Sequence, residues 1–234
     1  SDVSGIFSAD PRIVAGARKL DVVSYEEMLE MAASGARVLA LRSVELARAQ
    51  SVPIHARSTF SDEQGTWVTD AAGLEAAIVS AVTHSEDEVV FVLRGVPDRP
   101  GSAAAIFDAV AGEHANVDTI LQNHAHGPAD LSFSVPEEDV EATRRALERA
   151  QEGIGPFEVE EIADLGKVSL VGAGMRSNPG VAALMFRTLA EEKINLRLIT
   201  TSPIKISCLV ARVDVERAVR ALHAVFFEGD AESG

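Results

Sequence analysis

Two stretches of the chain carry the same pattern of hydrophobic and polar positions. Each reads as an apolar strand, a Pro-Gly turn, an amphipathic helix, an asparagine and a second strand. The first copy has Gly-Val-Pro-Asp-Arg-Pro-Gly at 95–101, then Phe107 and Asn116-Val117-Asp118. The second has Gly-Met-Arg-Ser-Asn-Pro-Gly at 174–180, then Phe186 and Asn195-Leu196-Arg197. A single offset of 79 residues carries Pro100 onto Pro179, Gly101 onto Gly180, Ala104 onto Ala183 and Ile120 onto Ile199. The pattern predicts strands at 87–94, 117–123, 130–135 and 156–162 with helices at 101–114 and 137–151, a complete small α+β sandwich. The second copy predicts strands at 167–173, 195–201 and 204–211 with helices at 180–192 and 214–226, and lacks a closing strand. The apolar segment Ala76–Val82 fills that gap. The second unit is therefore expected to be discontinuous, with 74–83 crossing over to cover an edge that would otherwise expose unpaired backbone groups.

Residues 1–69 form a separate block. Ser24 with Glu27 three positions on has the spacing of a capping box and opens a helix whose buried face is Met28, Leu29, Met31 and Ala32. Gly35 interrupts it, and a second helix is expected from Val38 to near Gln50. Strands follow at Val52–Ala56, with Pro53 at its beginning, and at Thr66–Thr69; Asp70–Gly73 reads as a linker. So few elements make only the last third of an α/β domain. The chain starts abruptly at Ser1, as though a preceding part were removed or supplied by another chain.

A strand that stops at Pro-Gly and hands over to a helix leaves the amides of the first helical turn unpaired. Amides and helix dipole together favour a carboxylate there. Two copies suggest two small-molecule pockets, or one shared across a pseudo-symmetric interface; the alternative is that the repeat is scaffolding alone. The net charge of −15 argues against nucleic acid and against an anionic membrane surface. No apolar run approaches the roughly 18 residues of a membrane span, and no signal peptide is visible, so a cytoplasmic protein is expected. The single cysteine, Cys208, lies in the apolar run 206–210 and reads as a buried side chain in a reducing compartment. His124 and His126 share one face of a strand but find no third ligand, so no metal site is expected. The acidic runs Glu86–Glu88 and Glu137–Asp139 are expected to be solvated faces or helix starts.

The repeated pattern resembles ACT domains, the amino-acid-sensing modules of biosynthetic enzymes, and the order of units is similar to that of aspartokinases. Ser1-Asp2-Val3-Ser4-Gly5-Ile6-Phe7-Ser8-Ala9-Asp10-Pro11-Arg12 resembles that family's nucleotide-binding stretch Thr-Asp-Val-Asp-Gly-Val-Tyr-Thr-Ala-Asp-Pro-Arg. Ser24–Met28, Ala33–Leu39 and Val52–Ser58 continue the likeness, and Lys167–Met175 opens the last ACT unit in the family's manner. The actinobacterial type is the nearest in appearance. The resemblance implies an α+β chain with the end of an amino-acid kinase domain at 1–69, one ferredoxin-like ACT unit at 84–164, and a second made of 74–83 and 165–228.

The family phosphorylates L-aspartate with ATP and Mg, giving 4-phospho-L-aspartate on the way to lysine, threonine and methionine. Its Lys-(Phe/Tyr)-Gly-Gly motif and its aspartate-gripping residues have no counterpart here. Phosphoryl transfer needs positioning and charge neutralisation together, so no catalytic residue is assigned and no kinase activity is expected of these residues alone. By resemblance the nucleotide contacts fall at Ser1, Asp2, Phe7, Ser8, Ala9, Asp10, Pro11, Arg12, Arg37 and Val38. Ser1, Phe7 and Arg37 depart from the family's usual Thr, Tyr and Lys. Taken without the resemblance, 10–12 reads as a solvent-facing turn with Asp10 and Arg12 salt-bridged.

The implied effector contacts in the first copy are Asp98, Arg99, Pro100, Gly101, Ser102 and Ala103, then Asn116, Val117, Asp118 and Gln122. In the second copy they are Met175, Asn178, Pro179, Gly180, Asn195, Leu196, Thr201 and Ser202. Pro203 and Lys205 stand where relatives often carry an acid and an arginine, which bears on effector choice, particularly for lysine. Threonine, lysine or both are the implied effectors. A homodimer through the ACT units is expected, with a full-length catalytic chain as a further partner. The alternative is a stand-alone amino-acid-sensing subunit serving some other protein.

Overall fold

The computed structural model describes residues 3–70, 77–123 and 129–228. The chain divides into two compact units, one made of Ser1–Ser85 with Gly166–Gly234 and the other of Glu86–Leu165.

The first unit begins with a three-stranded sheet in the order β1-β3-β2, from β1 (Val22–Ser24), β2 (Ile54–Ala56) and β3 (Thr66–Thr69). Strand β1 was not expected from the sequence; it runs parallel to β3 and leads directly into helix α1 (Tyr25–Ala33). The expected capping box is present: Ser24 Oγ accepts from the Glu27 amide, and the Glu27 carboxylate accepts from the Ser24 amide. The second helix, α2 (Leu41–Ala49), starts three residues later than expected. Gly35 is the cause. It takes φ +104°, and a β-carbon there would lie 1.8 Å from the His84 carbonyl oxygen. The backbone turns away there, and Val38 and Leu39 pack, outside any helix, against the core cluster that includes Met28, Met31 and Val68.

Strand β4 (Ala81–Val96) runs on from the first unit into the second, where α3 (Ser102–Gly112), β5 (Ile120–Asn123), β6 (Ala129–Pro136), α4 (Val140–Ile154) and the first part of β7 (Glu158–Val171) follow. Strand order in this unit is β5-β6-β4-β7. Register sets Val89 opposite Val135, Phe91 opposite Phe133 and Leu93 opposite Leu131. With a two-residue period these pairs share one face, and they pack against Ile106, Val110, Ala146 and Leu147 of α3 and α4. Phe133 stacks on Phe91 at 5.6 Å and meets Phe107 edge-on at 5.5 Å. The register slips between Leu93 and Val96, where Gly95 has φ +76°, so the strand is bulged just ahead of the Pro-Gly turn.

Three expectations need correction here. Strands 156–162 and 167–173 are parts of one strand, Glu158–Val171, which continues through a local left-handed kink at Asp164 (φ +55°) and through Gly166 despite their turn-like composition. The end of segment 76–82 likewise joins 87–94 in one strand, β4, which begins at Ala81; residues 71–76, including the first part of the expected crossover 74–83, lie outside the described residues. Glu86–Glu88 therefore lies inside β4 and is no helix start; Glu86 is exposed, as on a solvated face, but Glu88 is only 4% exposed. Glu137–Asp139 does form a 3-10 turn at the head of α4, as a helix start would.

The rest of the first unit holds a 3-10 turn Ala173–Ser177, α5 (Gly180–Glu191), β8 (Leu198–Ser202), β9 (Lys205–Ala211) and α6 (Val215–His223), which ends in a π turn at Ala224–Glu228. Its strand order is β4-β7-β9-β8. Helix spacing puts Val181, Met185 and Leu189 on one face of α5, and Val215, Ala218, Val219 and Leu222 on one face of α6. Both faces close over Val168, Leu170, Cys208 and Val210. Ala9 and Val14 from the start of the chain, and Val79 and Val82, join the same core. The Ser80 amide donates to the Val171 carbonyl and that of Gly174 to the Ala77 carbonyl. Approach is so close that a β-carbon on Gly172 would sit 2.4 Å from the Ile78 oxygen. Among the described residues no helix is long and apolar enough to cross a membrane.

Candidate functional site

In the second copy, chain geometry gathers the expected positions around a cavity of about 330 Å³. One wall is the 3-10 turn and the head of α5, with Met175, Arg176, Asn178, Pro179, Val181 and Ala182. The other is the β8–β9 hairpin, with Thr201, Ser202, Pro203 and Ile206. Asn178 is held by its own turn, its Nδ2 donating to the Gly174 carbonyl at 2.8 Å. Five of the eight expected positions (Met175, Asn178, Pro179, Thr201 and Ser202) line this space. Gly180, Asn195 and Leu196 do not; Asn195 is exposed on the loop before β8, and Leu196 packs against the core. Arg176, Val181, Ala182, Pro203 and Ile206 also line it without having been among those contacts, although Pro203 was noted as bearing on effector choice. Each lies within four residues of an expected one, Val181 and Ala182 directly after Gly180 and Ile206 four after Ser202, a proximity that could have included them.

The chemistry of the lining is lopsided. It offers one cation, Arg176, two hydroxyls and an amide, but no acidic side chain. Such a set receives a carboxylate and apolar atoms more readily than a second ammonium group.

The first copy is arranged differently. Gly101 takes φ +100° as the residue before α3, and Asp98, Pro100 and Gly101 are exposed on that turn, with Ala103 half-buried behind them. Arg99 Nη2 donates to the Ile154 carbonyl, so this cation is turned back toward α4. Ser102 is buried, and its hydroxyl has no hydrogen-bond partner among the described residues. The Asn116 amide donates to Asp139 Oδ2 at 2.8 Å. The loop before β5 is thereby tied to the acidic turn that opens α4. The Asp118 amide donates to the Ser134 carbonyl, Val117 packs against the core, and Gln122 is exposed on β5. Both asparagines thus stand several residues ahead of their strands, not at the first position. A larger hollow in this unit, about 460 Å³ beside Arg94, Gly95, Pro156, Phe157 and Glu158, includes none of the expected residues.

At the start of the chain, Ser1 and Asp2 lie outside the described residues, as do His124 and His126. Phe7 forms an antiparallel bridge with Lys19. Ser8 and Ala9 turn inward: Ser8 Oγ accepts from the Arg18 amide and pairs with His223 Nε2, and Ala9 is part of the core. Asp10 and Arg12 form a bidentate pair, with the Arg12 guanidinium 88% exposed and Pro11 exposed between them. That guanidinium, through its hydrogen bonds, holds the Asp10 carboxyl below its usual range. Arg37 is exposed and Val38 half-buried. No group of three or more His, Cys, Asp or Glu side chains converges to hold a metal among the described residues. Cys208 is wholly buried, and burial pushes its thiol up to about 12, so it is inert as a nucleophile.

Comparison with known proteins follows the same division. Residues 1–58 match the amino acid kinase family, and residues 90–152 and 168–226 each match the ACT domain. An aspartokinase of Mycolicibacterium smegmatis is 47% identical over all of this chain, which spans 57% of that protein's length. A crystal structure of aspartokinase alpha and beta subunits is 44% identical, with TM-score 0.59, over 63% of this chain and 98% of that one. The E. coli aspartokinase III structure in complex with lysine and aspartate is 25% identical, with TM-score 0.76, over 97% of this chain and 51% of that one.

Proposed function

The chain belongs to the aspartokinase family, and from that premise we propose that it is the allosteric portion of an aspartate kinase, joined to the end of the kinase domain. The domains are assigned as 1–69 for the kinase end, 84–164 for the first ACT unit, and 74–83 with 165–228 for the second. The whole enzyme phosphorylates L-aspartate with ATP and Mg; residues 1–234 bind the amino-acid effector and do not turn over ATP alone. The observation that carries this reading is the cavity between the head of α5 and the β8–β9 hairpin. Its Arg176 and helix N-terminus suit an α-carboxylate. With no acid in the lining, threonine fits it better than lysine, whose second ammonium would stand unpaired. The first copy supplies a second effector region around Asp98 and Gly101.

For the nucleotide, Arg12 and Arg37 offer cations to phosphate and Phe7 a ring to the base, while Ser8 and Ala9 serve as the inward anchor of that loop. These residues fit one side of a nucleotide and supply no cluster that holds Mg, which is assigned to the rest of the enzyme. A sensor subunit serving an unrelated partner is not favoured, since the kinase-family likeness runs through residues 1–58. A homodimer through the ACT units completes the reading, stabilised by effector through mass action.

Isothermal titration of the folded chain with threonine, lysine and methionine tests the proposal. Heat with threonine is expected, with weaker or no heat from lysine at this cavity. Folded protein that binds none of them overturns it. Sedimentation with and without threonine tests the dimer, and a strict monomer in both conditions removes it.

A further inference from the structure

Two carboxylates on one helix hold the two walls of the second-copy cavity. Glu27 and Glu30 are three apart on α1, a spacing that puts both on the same face. Glu27 is 7% exposed, and its two oxygens divide their work. Oε2 closes the helix cap with the Ser24 amide at 3.2 Å and the Ser24 hydroxyl at 2.7 Å. Oε1 reaches out of the helix to the Ser80 hydroxyl at 2.6 Å and to the Ala173 amide at 3.1 Å. Ala173 opens the 3-10 turn that carries Met175 and leads to Asn178 and Pro179, the first wall. Glu30 Oε2 lies 2.9 Å from Lys205 Nζ, with both side chains largely covered at 26% and 15% exposed. Lys205 is paired with Ser202 across the hairpin that forms the second wall.

A capping box needs only one carboxylate oxygen and nothing from elsewhere in the chain. Here the second oxygen and a second carboxylate are spent on the two segments that bound the cavity, and on their backbone or their hairpin rather than their tips. Helix α1 lies in the stretch that matches the amino acid kinase family, whereas both walls lie in an ACT match. We propose that Glu27 and Glu30 are positioning residues through which α1 responds to the separation of the cavity walls. Anything that spreads or closes the walls moves the Ala173 amide and the Lys205 ammonium against each other. Helix α1, gripping both, shifts or loosens at its N-terminal turns. A ligand biases this arrangement only as far as it binds one wall spacing better than another. The inference rests on the effector reading of the cavity for its biological meaning, but not for its test.

The test is amide hydrogen exchange over 25–33 and over both walls, in the folded chain. The walls are perturbed in two ways: by millimolar threonine or lysine, and without ligand by Ala182→Leu, which fills the cavity from α5. In the wild-type background either perturbation is expected to change exchange in α1 by roughly fivefold or more, the lower range for coupled sites. Glu30→Gln or Lys205→Met should leave the response of the walls intact and reduce that of α1. The exchanged pair Glu30→Lys with Lys205→Glu should restore it, which a merely structural role would not require. These variants leave buried Glu27 in place, so a folding failure of Glu27→Gln does not block the experiment. If α1 is unmoved in the wild-type background under every perturbation, or responds equally without the Glu30–Lys205 link, the proposal is overturned. If Ala182→Leu moves α1 while no amino acid affects the walls, the coupling stands and the effector reading fails.

Discussion

Ser8 Oγ lies 2.9 Å from His223 Nε2, and the same imidazole directs Nδ1 at Glu228 Oε1, 3.3 Å away. A carboxylate cannot donate, so neutral His223 carries its proton on Nδ1, and the Ser8 hydroxyl donates to Nε2 while accepting from the Arg18 amide. Phe227 stacks on the ring at 4.7 Å. The loop that resembles a nucleotide-contacting segment is thereby pinned to the end of α6 by hydrogen bonds through the buried His223 ring.

That chain sets a pH dependence. Burial is the main cause holding the His223 imidazolium below its ordinary 6.5, with Glu228 opposing and Arg18 assisting. The unfolded chain then binds the proton at higher pH than the folded one, so stability falls as the pH drops from 6.5 toward the folded value. Thermal unfolding between pH 7.5 and 5 should show a falling midpoint in that window and a flatter profile in His223→Gln. Equal slopes in both proteins would assign the effect elsewhere.

Glu27 acts in a lower window. Burial opposes its ionisation, but the Ser80 and Ser24 hydroxyls and the Ala173 and Ser24 amides outweigh it and hold the carboxyl below 4.5. Its contribution is present above 4.5 and is lost as the pH falls through the folded value. Glu27→Ala strands those donors and should cost about 3 kcal/mol, the upper range for hydrogen bonds to a charged group. Chemical denaturation at pH 7 and at pH 3.5 measures this, and the gap between the two proteins should narrow at the lower pH.

Gly172→Ala should destabilise the chain by about 2 kcal/mol or more through overpacking. Its β-carbon would meet the Ile78 oxygen at 2.4 Å, which is backbone and cannot rotate aside. Gly180→Ala, with nothing within 4 Å of the same atom, is the matched control. Denaturation midpoints of the two variants should differ clearly.

Binding should separate the two copies. Arg176→Ala removes the cation of the second-copy cavity, and Asp98→Ala the acid of the first-copy turn. Each should weaken its own effector by about 1–3 kcal/mol if it pairs with a charged end, read by titration calorimetry. A variant with unchanged affinity takes its residue out of the site.

Local signals carried much of this structure into the sequence. Ser24 and Glu27 announce the cap of α1 because a capping box is confined to four residues, and the two Pro-Gly turns mark the heads of α3 and α5 for the same reason. Five residues that line the cavity were among those the family resemblance implied. What was hidden depends on partners far along the chain. The second oxygen of Glu27 meets Ser80 and Ala173, which no spacing rule connects to it. Asp164 and Gly166 look like a turn, yet the strand passes through them because pairing along β7 outweighs local preference. Burial of Glu88 is likewise a property of the sheet around it, and its acidic neighbours in sequence suggest the opposite.

The two copies also differ in how their last helices begin. Asp139, just ahead of α4, receives the Asn116 amide. Asp214, just ahead of α6, turns instead to Arg217 at 2.6 Å, and Asn195 stays exposed. Equivalent substitutions in the halves of a duplicated gene are therefore not equivalent events. Loss of the carboxylate at 139 unfastens a loop, whereas loss at 214 removes a surface ion pair of little consequence. Selection can hold the first half fixed as a frame while the second drifts, and a new ligand preference would be expected to arise there first.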